Sequence, residues 1–82
     1  MKKWYLYVLR CNDDTLYTGV TTDPHRRLIE HNTNKKGAKY TRARRPTQMV
    51  YCEEHADQSS AQKAEYKFKK LTREQKEKIF II

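Results

Sequence analysis

The 82-residue chain predicts an α+β domain, a three-stranded antiparallel sheet flanked by helices in the order β-β-α-β-α-α. Three observations carry that expectation. Two short aromatic-rich segments near the N-terminus are separated by turn residues, which reads as a hairpin. A third apolar segment lies in mid-chain, and the last third repeats apolar residues at helical spacing behind helix-start signals. One domain over residues 1–82 is expected, near the lower size limit for a single hydrophobic core.

The elements follow in order. Trp4 to Cys11 is apolar on both alternating sets, as in a strand covered on two faces. Leu16 to Val20 reads as its partner, and Asn12-Asp13-Asp14 is turn chemistry. Asp23 is a good N-cap with Pro24 at the first helical position, so a helix should run to about His31. Asn32 to Pro46 has little apolar periodicity and reads as a loop with a short turn around Tyr40. Thr47 to Glu53 forms a third strand. Ser59-Ser60-Ala61-Gln62 fits a capping box, and Ala61, Ala64, Phe68 and Leu71 make one apolar arc. Thr72-Arg73-Glu74-Gln75 is a second capping box, opening a last helix to about Phe80. No repeat, low-complexity segment or linker interrupts this order.

Composition narrows the function. A formal charge of +8 and a pI near 9.7 call for a polyanionic partner, with nucleic acid first. With only 37% hydrophobic residues, few can leave the core to line a deep pocket, so a shallow site is expected and no small-molecule cofactor. No apolar run approaches the ~18 residues that span a bilayer. Met1-Lys2-Lys3 leads straight into a strand pattern rather than a signal peptide, so a soluble, cytoplasmic protein is expected. Cys11 and Cys52 lack paired metal-ligand spacing and read as two reduced thiols packed as small apolar side chains.

The basic charge is concentrated. Lys35, Lys36, Lys39, Arg42, Arg44 and Arg45 fall in one loop without an acidic residue, and Tyr40 among them can stack on a base. Lys69, on the later helix, can reach a phosphate near Glu65.

Five further residues offer phosphodiester chemistry. Hydrolysis needs an activated nucleophile, neutralisation of charge at phosphorus, and help for the leaving oxygen. Arg27 supplies a planar cation. Glu65, just beyond the apolar arc, can hold a hard divalent cation; its ordinary alternative is an ion pair with Lys69 at the next turn. Tyr7 or Tyr17 can orient or deprotonate a water. His31, four residues after Arg27, shares its helix face. A shared site needs both tyrosines on one sheet face. A two-residue turn at Asp13-Asp14 would set Tyr17 opposite Arg10 and split them, so an odd-length connection or a bulge is expected.

Leu16-Tyr17-Thr18-Gly19, Arg26-Arg27-Leu28, Glu30-His31-Asn32, Lys39-Tyr40-Thr41 and the stretch from Ala64-Glu65 to Lys69 resemble the GIY-YIG nuclease superfamily, in particular its short bacterial stand-alone members. The first motif departs from the family pattern, with Tyr5 in place of its glycine. The resemblance implies a three-stranded sheet with flanking helices and metal-assisted DNA hydrolysis, with Tyr7, Tyr17, Arg27 and Glu65 in the site. Glu65 would bind one Mg²⁺ or Mn²⁺, and His31 would be an alternative base or a phosphate ligand. The expected activity is that of a metal-dependent DNA endonuclease or structure-dependent nuclease; the alternative is a non-catalytic nucleic-acid-binding module on the same fold. DNA is the expected partner, branched or single-stranded forms included, with RNA left open beside it.

Overall fold

A computed structural model describes residues 2–33 and 37–80. Strands β1 (Trp4–Arg10), β2 (Leu16–Thr21) and β3 (Gln48–His55) form one antiparallel sheet in the order β2-β1-β3. Helices α1 (Pro24–Thr33), α2 (Lys39–Arg42), α3 (Gln58–Lys69) and α4 (Arg73–Phe80) complete the domain. The predicted order holds, with the turn near Tyr40 realised as the short α2.

The central position of β1 explains its composition. Leu6, Tyr7, Val8 and Leu9 are consecutive and all buried, because both faces of the strand are covered. Alternation places Leu6 and Val8 on one face, Tyr5, Tyr7 and Leu9 on the other. Leu6 and Val8 pack with Phe68 of α3, and Leu16, Val50, Ala64, Leu71 and Phe80 close around them. The rings of Tyr51 and Phe68 stack at 6.2 Å, tilted by only 8°. The predicted apolar arc of α3 is thus the surface laid on this face.

The hairpin has the required odd connection. Asp14 N–H donates to Cys11 C=O at 2.9 Å, Cys11 N–H donates to Thr15 C=O at 2.8 Å, and Asp14 adopts φ 66°. That is a three-residue loop closed by a left-handed residue, a common hairpin solution. Asp13 steadies it by accepting from the Thr15 hydroxyl at 2.6 Å. The resulting register pairs Leu9 with Tyr17 and Tyr7 with Gly19, so Tyr7 and Tyr17 share a face. Against β3, the register shifts between Val8 and Leu9, where Val50 is the extra residue.

Helix ends match the sequence with one correction. Asp23 caps α1, its carboxylate accepting from Arg26 N–H at 3.1 Å. Thr72 and Gln75 form the reciprocal capping box of α4, at 2.9 and 3.1 Å. For α3, however, the cap is Asp57, which accepts from Ser60 N–H at 2.8 Å, and the helix starts before Ser59. A carboxylate is the stronger acceptor beside a helix N-terminus. The cysteine reading is also corrected in part. Cys11 is buried, but Cys52 is exposed on β3 opposite Tyr7, and both thiols are free.

Candidate active site

Four elements supply the site, and each places its residue for a local reason. Tyr7 enters from the central strand and its phenol lies across β2 at Gly19. A Cβ at position 19 would stand 2.6 Å from the Tyr7 hydroxyl and 2.8 Å from its ring carbon. Glycine is required there by that approach, and its φ is not positive. Tyr17 lies one turn of the pleat away, its ring centroid 6.4 Å from that of Tyr7.

Helix α1 brings Arg27 and His31 onto this face. His31 is fully buried, with its Nε2 2.8 Å from the Tyr7 hydroxyl and its Nδ1 2.7 Å from the Thr41 hydroxyl. Its ring also meets the Tyr17 ring edge-on at 5.1 Å. Gly37 lets α2 come this close, since a Cβ there would sit 2.6 Å from the Glu30 carbonyl oxygen and 2.8 Å from the His31 Cα. Asn32 ties the end of α1 to β3: its side chain donates to Thr47 C=O at 3.1 Å and accepts from Thr47 N–H at 2.7 Å.

Arg27 is 24% exposed, and its Nη1 donates to Glu30 at 2.9 Å. Burial opposes its charge, but hydrogen bonds to Glu30 and to the Tyr7 hydroxyl outweigh that and raise its pKa. Its cation is held, shaped and permanent. Glu30 is the partner that sequence reasoning missed. Its spacing three residues after Arg27 is the signal that could have shown it.

The electrostatics of the buried pair run opposite ways. Burial pushes the Tyr7 phenol up to about 12; the Arg27 hydrogen bond works against that, and the nearby Tyr17 and Glu65 add to it. Burial pushes His31 down to about 4, reinforced by the positive charge of Arg27. At neutral pH both groups are therefore uncharged, and the charges acting on them include Arg27, Glu30, Arg45 and Glu65. His31 itself is without exposed surface in this fold.

Glu65 leaves α3 close enough to Tyr7 to act on it electrostatically, and it pairs with Lys69 at 3.4 Å. The sequence alternative, the ion pair at the next turn, is thus formed. Among the described residues no group of three His, Cys, Asp or Glu side chains gathers to ligate a metal. One half-sheltered carboxylate suits a cation such as Mg²⁺ that keeps most of its water and takes phosphate oxygens. The donor set fits that kind of ion and no tightly caged one.

Beside the two tyrosines runs an open cleft of about 270 Å³, lined by Leu16, Tyr17, Thr18, Tyr40, Lys69 and Lys76. Tyr17 and Tyr40 face each other there at 6.0 Å and 25°. Lys76, from α4, was not singled out in the sequence; only the packing of α4 beside α3 brings it here. The basic loop divides. Lys39 and Arg42 are exposed, while Lys35 and Lys36 lie outside the described residues. Arg44 stacks over the Tyr40 ring at 3.9 Å and donates to Asp13 at 3.0 Å, so the loop does meet an acidic partner, from the hairpin. Arg45 donates to the His31 carbonyl at 2.6 Å and satisfies the end of α1. Arg44 and Arg45 thus have intramolecular roles that the loop sequence did not reveal.

This fold and site define a class. Residues 3–78 match the family model for the GIY-YIG catalytic domain, and the chain belongs to that family. Within it, the similar proteins are small bacterial ones carrying the name UPF0213. One from Staphylococcus epidermidis is 49% identical over 79 residues, covering 96% of this chain and 95% of the relative. One from Enterococcus faecalis is 55% identical over 78 residues, covering 93% and 88%. The chain spans only 63% of a Desulfotalea psychrophila relative, which is 52% identical over 69 residues and 84% of this chain. Two solution NMR structures share the fold. A UPF0213 protein from Bacillus halodurans is 42% identical with a TM-score of 0.59, covering 94% of this chain and 81% of that one. An Enterococcus faecalis protein is 53% identical with a TM-score of 0.64, covering 96% and 83%. No described helix is long and apolar enough to cross a membrane.

Proposed function

We propose that this protein hydrolyses phosphodiester bonds in DNA as a metal-dependent endonuclease. The observation that carries the reading is the junction of Arg27, Tyr7 and Tyr17, with Glu65 within electrostatic reach. A buried phenol, a braced guanidinium and a half-sheltered carboxylate are more than folding needs at one point. The match to a catalytic-domain family supports the same reading.

The roles follow from exposure and charge. Arg27 directs its fixed positive charge at the phosphate, where it offsets the charge that grows on the oxygens as phosphorus becomes five-coordinate. Tyr7 is 1% exposed and works from beneath, linking Arg27 to His31. Tyr17 lines the open cleft and is the phenol that meets water or substrate directly. Lys69 and Lys76 border that cleft and contact neighbouring backbone phosphates, as do the exposed Lys39 and Arg42. Glu65 would hold one Mg²⁺ or Mn²⁺, which would supply positive charge beside the phosphate and help to activate water. In-line attack by water leaves a 5′-phosphate and a 3′-hydroxyl.

Purified protein incubated with supercoiled plasmid and with nicked or branched DNA tests this, with Mg²⁺, Mn²⁺ or chelator, beside Glu65→Ala and Arg27→Ala. Cleavage that needs metal and falls about 10²–10³-fold in Arg27→Ala is expected, as for removal of a group stabilising transition-state charge. Binding without cleavage on every substrate would leave a nucleic-acid-binding module instead. Variants that cut as well as the parent protein would overturn the site.

A further inference from the structure

We infer that Thr41 and the backbone of Ala38 fix His31 as its Nε2-protonated neutral form, so that His31 donates a hydrogen bond to Tyr7 and does not serve as its base. The consequence for catalysis rests on the nuclease reading; the tautomer itself does not.

A hydroxyl can rotate and an imidazole can carry its proton on either nitrogen, but a backbone N–H can only donate. The Ala38 N–H donates to His31 Nδ1, at 3.4 Å. A proton on Nδ1 would set two N–H groups against each other, so Nδ1 is bare. The Thr41 hydroxyl, 2.7 Å from Nδ1, then has an acceptor to bond. Its competitor is the Ala38 carbonyl, 2.9 Å away. That carbonyl already accepts the N–H groups of Thr41 and Arg42, each at 3.1 Å, which match its two lone pairs. The Thr41 proton therefore goes to Nδ1.

With Nδ1 bare and the ring neutral, the proton sits on Nε2 and points at the Tyr7 oxygen, 2.8 Å away. Arg27 donates to the same oxygen. Both act on that oxygen from the protein side. Such a pair of donors favours negative charge on a phenolic oxygen, as an oxyanion hole does. His31 thereby supports a developing phenolate from below. Thr41 touches neither substrate nor the reacting atoms and is a positioning residue. Its complete burial on a four-residue helix suits that task.

The test reads the tautomer directly. Protein labelled with ¹⁵N-histidine is examined at neutral pH by long-range ¹H–¹⁵N correlation, without metal or DNA. The expected spectrum for His31 has an unprotonated Nδ1 and a protonated Nε2. Thr41→Val, which keeps the shape and removes the hydroxyl, should leave Nδ1 unprotonated beside the Ala38 N–H and move its signal further from the protonated range, because the shorter of its two hydrogen bonds is lost; Thr41→Ser should match the parent. In cleavage assays Thr41→Val should slow the rate constant about tenfold at unchanged DNA affinity, with Thr41→Ser within about twofold, as for the loss of one hydrogen bond. A proton on Nδ1 in the parent protein overturns the inference. So does a folded Thr41→Val whose His31 signals are those of the parent. Should Thr41→Val not fold, the parent and Thr41→Ser spectra still decide. The expected tautomer in a protein that cuts no DNA would sink the nuclease reading and leave this one standing.

Discussion

The two faces of the central strand are packed by different physics. Behind Leu6 and Val8 the sheet meets Phe68, Ala64 and Phe80, an apolar layer held by contact area. Behind Tyr7 it meets His31 and Thr41, buried polar groups held by a chain of hydrogen bonds. Among the described residues no buried side-chain nitrogen or oxygen is left without a partner. The apolar face loses stability in proportion to the volume removed. The polar face is all-or-none, because one missing partner strands another inside. One seven-residue strand thus carries a foundation on one side and a site on the other.

The largest expected effect lies on the apolar side. Phe68→Ala should cost about 3–5 kcal/mol, measured by denaturant unfolding, since it opens a cavity beneath two further rings. A loss below about 1 kcal/mol would mean that the layer collapses and the contrast is false. Next comes acid. His31 has a folded pKa of about 4, below its ordinary value, so the unfolded chain binds the extra proton first. Stability is complete above about pH 6.5 and falls progressively towards pH 4, by on the order of 3 kcal/mol. Thermal melts across that window should show the fall in the parent protein and a flatter curve in His31→Gln.

Gly19→Ala sharpens the comparison further. The added methyl collides with the Tyr7 phenol, and the expected cost is about 1–3 kcal/mol of stability. Arg27 and His31 would lose their common partner as well, so cleavage should fall by much more than the folded fraction does. The smallest effect is Tyr51→Phe. This hydroxyl donates to Glu53 at 2.7 Å at the wet margin of the apolar face, and the Glu53 carboxylate holds the Tyr51 pKa up to about 12. About 1 kcal/mol or less should be lost, because water can replace the partner. A larger loss would show that polar bonds matter equally on both faces.

Legibility in the sequence differed between the same two faces. The apolar arc of α3 was visible, because periodicity records which side of a helix avoids water. The parity of the hairpin was also decidable as a requirement: Tyr7 and Tyr17 could meet only across an odd connection. Glu30 and Thr41 were not picked out, though both stand within the phrases that carry the family resemblance. Their residue types are common on surfaces, and nothing in the order of letters says that α2 folds back onto α1. Arg44 and Arg45 carried a second role that was not legible. Charge composition marked them for phosphate, and the structure also bonds them to Asp13 and to the end of α1.

The sequence by itself determined the element order, the hairpin turn, the caps of α1 and α4, the polyanionic bias and the residues that carry the family match. These depend on local backbone preference and on periodicity, which a chain expresses wherever it folds. Only the tertiary structure decided that His31 is wholly buried and neutral, that Gly19 makes room for a phenol, and that Lys76 borders the cleft. Burial, pKa and proton placement are set by neighbours brought from distant positions. The proton on His31, deduced from Ala38 and Thr41, is the most specific of these and has no signature in the chain before it folds.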